Sequence, residues 1–428
     1  MGLLSKVALL IAAALVAGTR RLFASEPFEA TVTAGEKEPS WLAEWLREHL
    51  WRTARYFLLF LVVLGLGGLL VAASGVIPIK ASSGHWPITR WLLQFSKQRS
   101  IATHTLGMES PPLDEWRLIL RGAGAYHTNC RGCHGSPEIK SPRVVQEMLP
   151  PPPYLPATVP NWDSTELFYI VKHGLKFTGM PAWPALQRDD EVWAMVAFLR
   201  RMPEVDAESY GRLVNGETPP TNESVPLEGL LGPRAEPPPV VDNCIRCHGR
   251  DGLGRGVGAF PKLAGQSTDY FLNSLRAYAR EQRHSGVMEP LVTGLTDGEL
   301  DQLAHYYGNL PQASRRTPSD AERKSIERGA QIAQSGLPIQ RVPACIECHG
   351  PVDTPRNPSY PILAGQYADY LLLQLELFKE NKRGGSAYAH LMQPIATRLT
   401  PDQMRDVALY FETLQSAGQG SGNHQNPE

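Results

Sequence analysis

Residues 129–135 read NCRGCHG: two cysteines three positions apart, with a histidine directly after the second. Such a triplet can be half of a zinc site, a dithiol switch or an anchor for a covalently held prosthetic group. The rest of the chain narrows the choice. Its 428 residues contain six cysteines, and all six fall in three copies of one pattern: Cys130-Cys133-His134, Cys244-Cys247-His248 and Cys345-Cys348-His349. No cysteine is left for a disulfide framework or a lone catalytic thiol.

A structural zinc site takes four ligands, from two Cys pairs or a Cys pair and two His. Three separate triplets leave such sets mismatched, and a His adjacent to its Cys sits too close to serve as the usual fourth ligand. A thioredoxin-like dithiol needs strand–helix–strand surroundings, which these regions lack. Covalent haem c accounts for every member of the triplet: both thiols add to the vinyl groups, and the next His turns to the iron as its proximal ligand. Three triplets predict three haem c groups, carried by Cys130, Cys133, Cys244, Cys247, Cys345 and Cys348, with His134, His248 and His349 on the irons.

Each iron then needs a sixth ligand from later in its own unit. Between Met202 and Met392 the only methionine is Met288, so the second site has one thioether to choose. Met392 occupies the same place in the third unit, each methionine eight residues before a helix-capping threonine, Thr296 or Thr400. Met404 aligns with the apolar Leu300 and reads as core. In the first unit Met180 sits in the loop FTGMPAWP, whereas Met195 and Met202 lie on the following helix and Met148 precedes a proline run. Met180, Met288 and Met392 are therefore the predicted axial ligands, and the proline one or two residues after each is expected to hold an extended loop. His127, His173, His284 and His390 are competing ligands, read as surface residues or propionate neighbours; bis-His ligation of one iron stays open. His/Met ligation raises the potential and leaves no open iron position, which suits a carrier rather than a catalyst. Pro261 and Pro361 are candidates to offer a carbonyl to the His Nδ1 proton.

Outward from the triplets, the N-terminus reads as a membrane attachment. Tyr56 to Ile79 is 24 residues without a charge, enough for a spanning helix. An earlier apolar run, about 3–19, fits either a short span or a leader. Arg20, Arg21, Arg47, Arg52 and Arg55 lie between the two runs and mark that stretch as cytoplasmic. Everything after Lys80 is then outside the cytoplasmic membrane, on the periplasmic side, where haem c is attached. Residues 85–110 mix Trp86, Trp91, Leu92, Leu93 and Phe95 with Arg90, Lys97 and Arg99, as expected of an interfacial connector. With 42 basic and 43 acidic residues, the chain gives no reason to expect a nucleic-acid partner. No acid–base pair, nucleophile or small-molecule pocket is legible either.

Residues 111–205 form the first haem unit, followed by a Gly/Pro/Glu-rich linker expected over 206–240. The remainder contains a repeat: FPKLAGQSTDYFLNSLRAYAREQR (260–283) matches YPILAGQYADYLLLQLELFKENKR (360–383), and 288–310 matches 392–414. Two further units are expected over 241–312 and 319–416, with 417–428 as a disordered tail.

At these residues the chain resembles the class I cytochromes c. Residues 241–415 are similar to the diheme c-four type through FPKLAGQ, YPILAGQ, VPACIECHGP and the Met-x-Pro segments. Residues 115–203 resemble membrane-linked single-domain cytochromes c of respiratory chains through RGAGAYHTNCRGCHG and HGLKFTGMPAWP. The resemblance implies an all-α fold: three haem domains in tandem behind an N-terminal anchor, each a small bundle whose first helix crosses its last. In the first domain it implies that Gly122 and Tyr126 pack near Trp193 or Phe198. The second domain departs from the pattern, because EPPPVVDNC leaves little room for a leading helix. The implied function is a triheme electron carrier, without enzymatic activity, between respiratory donors such as a quinol-oxidising complex or dehydrogenase and a terminal oxidase. The alternative is the cytochrome subunit of a periplasmic dehydrogenase or oxidase. A haem enzyme such as a peroxidase would require an iron that lacks its methionine.

Overall fold

The computed structural model describes residues 41–77, 79–215, 238–311, 316–350 and 357–415. The apolar run near 3–19, the centre of the expected linker and the tail lie outside them. The described residues form helices and no strand; two isolated antiparallel bridges join Arg283 to Gly384 and Leu337 to Val342. The longer helices are α1 (Trp41–Ala73), α2 (Pro87–His104), α3 (Trp116–Asn129), α4 (Ser164–His173), α5 (Asp189–Arg201), α6 (Ala207–Asn215), α7 (Thr268–Ala279), α8 (Asp297–Gly308), α9 (Arg323–Ser335), α10 (Ala368–Lys379) and α11 (Pro401–Thr413). The chain divides into two units, Met1–Ile79 and Lys80–Glu428.

In the first unit, α1 is long and apolar enough to cross a membrane over Arg47–Ala73. Its Phe57, Leu58, Leu61, Leu64 and Leu70 are all exposed, so the helix has an apolar surface on every side. It ends at Ala73 rather than at the expected Ile79, because Ser74 and Gly75 turn the chain, with Gly75 at φ 71°. It also begins earlier than expected, so that Arg47, Arg52 and Arg55 ride on its first half.

The second unit holds three packed centres. In the first, α3 crosses α5 so closely that a Cβ at Gly122 would overlap the Ala194 carbonyl. Tyr126 tilts against Phe198 with ring centroids 5.3 Å apart, and both are buried. The third centre repeats this crossing with α9 and α11: a Cβ at Gly329 would overlap the Asp406 carbonyl. Local chemistry fixes the ends of these helices. Asp189, Asp190 and Glu191 open α5 and Arg200 and Arg201 close it, complementing the helix dipole. Thr296 with Glu299 and Thr400 with Gln403 form capping boxes that start α8 and α11.

The expected linker is corrected at its start. Residues 207–215 are helix α6, and Tyr210, Leu213 and Val214 belong to the first core; Tyr210 is 0% exposed. The spacing of those three residues puts them on one helical face, which the Gly/Pro-rich surroundings obscured. The second centre is built differently. Ahead of Cys244 the described chain has only a 3-10 turn, Pro239–Val241, and the short helix Asp242–His248. Its core is α7 against α8, with Phe271, Leu275, Leu303 and Tyr307 buried.

The second and third centres meet through the repeated LAGQ segments. Gln266 donates to Ile362 O (3.0 Å) and accepts from Ile362 N (2.8 Å), while Gln366 donates to Lys262 O (2.8 Å) and accepts from Lys262 N (3.0 Å). Each copy thus holds the backbone of the other with the same residue.

Candidate cofactor sites

All six cysteines are unpaired, and each triplet ends a short helix, Arg131–His134, Asp242–His248 or Ile346–His349, with Cys130 and Cys345 directly ahead of theirs. In all three, the His Nδ1 donates to a proline carbonyl: His134 to Pro153 (3.1 Å), His248 to Pro261 (3.1 Å) and His349 to Pro361 (3.0 Å). A donating Nδ1 puts the ring lone pair on Nε2, the tautomer that an iron ligand needs. Burial lowers the pKa of His134 and His248 and so favours the neutral ring. Pro261 and Pro361 were legible from the repeat. Pro153 was not, because it is one of four consecutive prolines and nothing local distinguishes it.

The thiols do not suit redox switching. Burial, reinforced by Cys133, pushes Cys130 up to about 12; burial likewise pushes Cys244 to about 12 and Cys247 and Cys345 to about 11. A reactive dithiol needs the opposite shift. Among the described residues no group of three or more His, Cys, Asp or Glu side chains is placed to hold a bare metal ion.

The predicted thioethers are all half-buried. Met180 packs on the first core from a loop, its N–H donating to Thr178 Oγ1 (3.1 Å). Met288 packs on the second core and Met392 begins the helix Met392–Arg398. The extended loops expected around Met288 and Met392 are corrected: each methionine opens a short helix, Met288–Val292 or Met392–Arg398, with its proline in the first turn. A missing N–H costs nothing there, so proline is compatible with the helix start. Met404 is 1% exposed among Val342, Ala396 and Leu399. Met148 is a residue that the sequence did not point to. A Cβ on Gly179 would overlap its methyl group, which places a second thioether beside the Met180 loop.

Among the competing histidines, His127 is corrected from surface to core. It is buried, and its Nδ1 lies 3.0 Å from the Tyr210 hydroxyl on α6. Burial, with Arg131 and Arg246 nearby, lowers its pKa to about 4. His173 and His390 are exposed, and His284 is half-buried.

At the seam between the second and third centres lie two buried arginines. Arg283 donates to the Tyr370 hydroxyl (2.9 Å), and Arg383 donates to Gln374 Oε1 (2.6 Å) and the Tyr270 hydroxyl (3.3 Å). Among the described residues neither has a carboxylate partner within 4.0 Å. Buried cations without an acid suit an anionic group such as a propionate. The triplets, their neutral histidines and these arginines fit haem c.

Residues 117–199 and 240–306 match the family described as cytochrome c oxidase, cbb3-type, subunit III, and residues 326–415 match cytochrome c. The thiosulfate dehydrogenase electron acceptor of Thiomonas intermedia is 33% identical over 41% of this chain and 81% of its own length. Cytochrome c4 of Thiocapsa roseopersicina is 33% identical over 40% of this chain and 86% of its own. For cytochrome c4 of Pseudomonas aeruginosa the values are 30%, 40% and 83%.

The chain belongs to the cytochrome c family. It is a multihaem class I cytochrome c, all-helical, whose cytochrome c domains bind haem c covalently and transfer electrons.

Proposed function

We propose that this cytochrome c carries three haems and relays electrons on the periplasmic side of the bacterial cytoplasmic membrane, anchored there by α1. The observation that carries this reading is the threefold recurrence of a Cys-x-x-Cys-His helix whose histidine is held by a proline carbonyl. In it, Cys130, Cys133, Cys244, Cys247, Cys345 and Cys348 hold the haems, His134, His248 and His349 are proximal ligands, and Met180, Met288 and Met392 are distal ones. Each haem supplies a one-electron Fe(III)/Fe(II) couple. The protein's own work is to fix both ligands, exclude water and set the surrounding charge. Arg283 and Arg383 would receive propionates, and their positive charge would disfavour the ferric state. The proposed domains are 111–205, extended by α6, 241–312 and 319–416.

Helix α2 supports a second contact with the membrane. Ile88, Trp91, Leu92 and Phe95 form an exposed stripe at helical spacing, while Leu93 is half-buried and Ile101 buried. Arg90, Lys97 and Arg99 suit anionic headgroups, so α2 would lie in the interface just after the span.

Respiratory donors and a terminal oxidase are the proposed partners. A second reading is favoured by the relatives named as electron acceptors of thiosulfate dehydrogenase: the chain would then be the electron-accepting subunit of a periplasmic dehydrogenase. Purification in mild detergent distinguishes the two. Co-purification of a terminal oxidase supports the relay, and a stable dehydrogenase partner supports the second reading. Mass spectrometry of the intact protein checks the core claim, since an excess other than three haems overturns it.

A further inference from the structure

The second centre lacks a helix of its own ahead of Cys244 among the described residues, and the first domain packs against its motif instead. The second cysteine of the motif reports this. Cys133 and Cys348 are exposed, whereas Cys247 is half-buried. What covers it is α3: a Cβ built on Gly124 would sit 3.2 Å from Cys247 Sγ and 3.2 Å from Phe260 Cζ. Ala259, Phe260 and Val287, all from the second centre, pack into the core of the first. Arg255, whose N–H donates to Cys247 O (3.0 Å), reaches back to the end of α6 and donates to Leu213 O (2.8 Å) and Val214 O (2.9 Å).

The Met288 segment is held from the same side. Glu191, on α5 and 6% exposed, accepts from Ser285 Oγ (2.6 Å), Gly286 N (2.6 Å) and Trp183 Nε1 (3.2 Å). Ser285 Oγ in turn accepts from Met288 N (3.1 Å). Arg188 pairs with Glu191 (3.1 Å) and donates to His284 O (2.5 Å), and Asn129, next to Cys130, donates to Gly286 O (3.0 Å). One carboxylate thus ties Trp183, three residues after Met180, to the segment that carries Met288.

We propose that the first domain completes the second redox site, covering the edge held by Cys247, and that Glu191 is the positioning residue that keeps the two domains closed. The middle haem is then an internal relay that exchanges electrons with its two neighbours, while partners dock at the first and third domains, where Cys133 and Cys348 are exposed. This rests on the proposed haem count and on Met288 as a ligand.

Redox titration of the full chain, purified in detergent with its haems, tests it. Leucine at position 124 must part α3 from Cys247 and admit water, which solvates the more positive ferric state. Gly124→Leu is therefore expected to lower one midpoint potential and leave two in place. Met288→His identifies the middle haem by moving the same potential. Glu191→Gln, which keeps the volume but loses the charge, is expected to move that same potential and leave the other two in place, and it serves if Gly124→Leu does not fold. Unchanged potentials at full haem content, or a shift in a potential that Met288→His does not move, overturn the proposal. Fewer than three haems in the wild type, or a Met288→His variant with all potentials unchanged, overturns the underlying ligand reading and the proposal with it.

Discussion

At the scale of the residue, the proposed axial methionines and His127 carry the sharpest expectations. A methionine on ferric haem gives a weak charge-transfer band in the far red. Met288→Ala and Met392→Ala should each remove about a third of it, read by absorption of the oxidised protein. At the first site Met148 lies beside the Met180 loop, so the clean test is Met180→Ala combined with Met148→Ala. His127 gives a pH dependence. Its folded pKa, about 4, lies below its ordinary 6.5, so the unfolded chain takes up the proton first as pH falls. The stability that depends on a neutral His127 is complete above pH 6.5 and declines towards pH 4, by roughly 1.4 kcal/mol per pH unit at most. Denaturant unfolding across that range should show the slope, and His127→Gln should remove it. The triplets were legible in sequence because spacing alone states them, whereas Met180, Met288 and Met392 are proposed from the repeat and from the loop before α5. His127 was not: its partner Tyr210 lies far along the chain, in a stretch whose composition reads as linker.

At the scale of the element, helix crossings and the LAGQ clasp decide stability. Valine at position 122 would drive its side chain into the Ala194 carbonyl where α3 crosses α5. Gly122→Val should cost about 1–3 kcal/mol, measured by chemical denaturation. Gln366→Ala removes both hydrogen bonds to Lys262 and leaves two backbone groups to find water. It should cost about 1–3 kcal/mol on the same measurement. The paired arginines make an electrostatic prediction: Arg383→Gln removes a positive charge from the seam and should lower at least one midpoint potential. Periodicity and capping residues announced α5, α8 and α11. The short helices at Met288 and Met392 were hidden, because a proline two residues on suggests an extended loop unless its place in the first turn is known.

At the scale of the whole molecule, the unit Lys80–Glu428 is more continuous than three tandem beads. The sequence shows two copies of one domain after a distinct first one, and that division is where local pattern stops helping. The first and second centres share a core, sealed by Glu191, Arg255 and Gly124, each of which reaches residues of the other domain. No local pattern encodes such a seam. Removing residues 1–79 takes away the candidate spanning helix but leaves the apolar stripe of α2. The shortened protein is expected to sediment with anionic vesicles and to be released by salt, as charge-assisted interfacial binding requires.

The glutamine clasp has a consequence for assembly. It recognises only main-chain groups, so the residue gripped can be Lys262 in one copy and Ile362 in the other. It is also self-complementary, since the same residue serves both halves, as in a two-fold homodimer interface. A single copy of the repeated domain therefore already carries both parts of the joint. Carrying two copies in one chain supplies proximity to a joint that each copy can make.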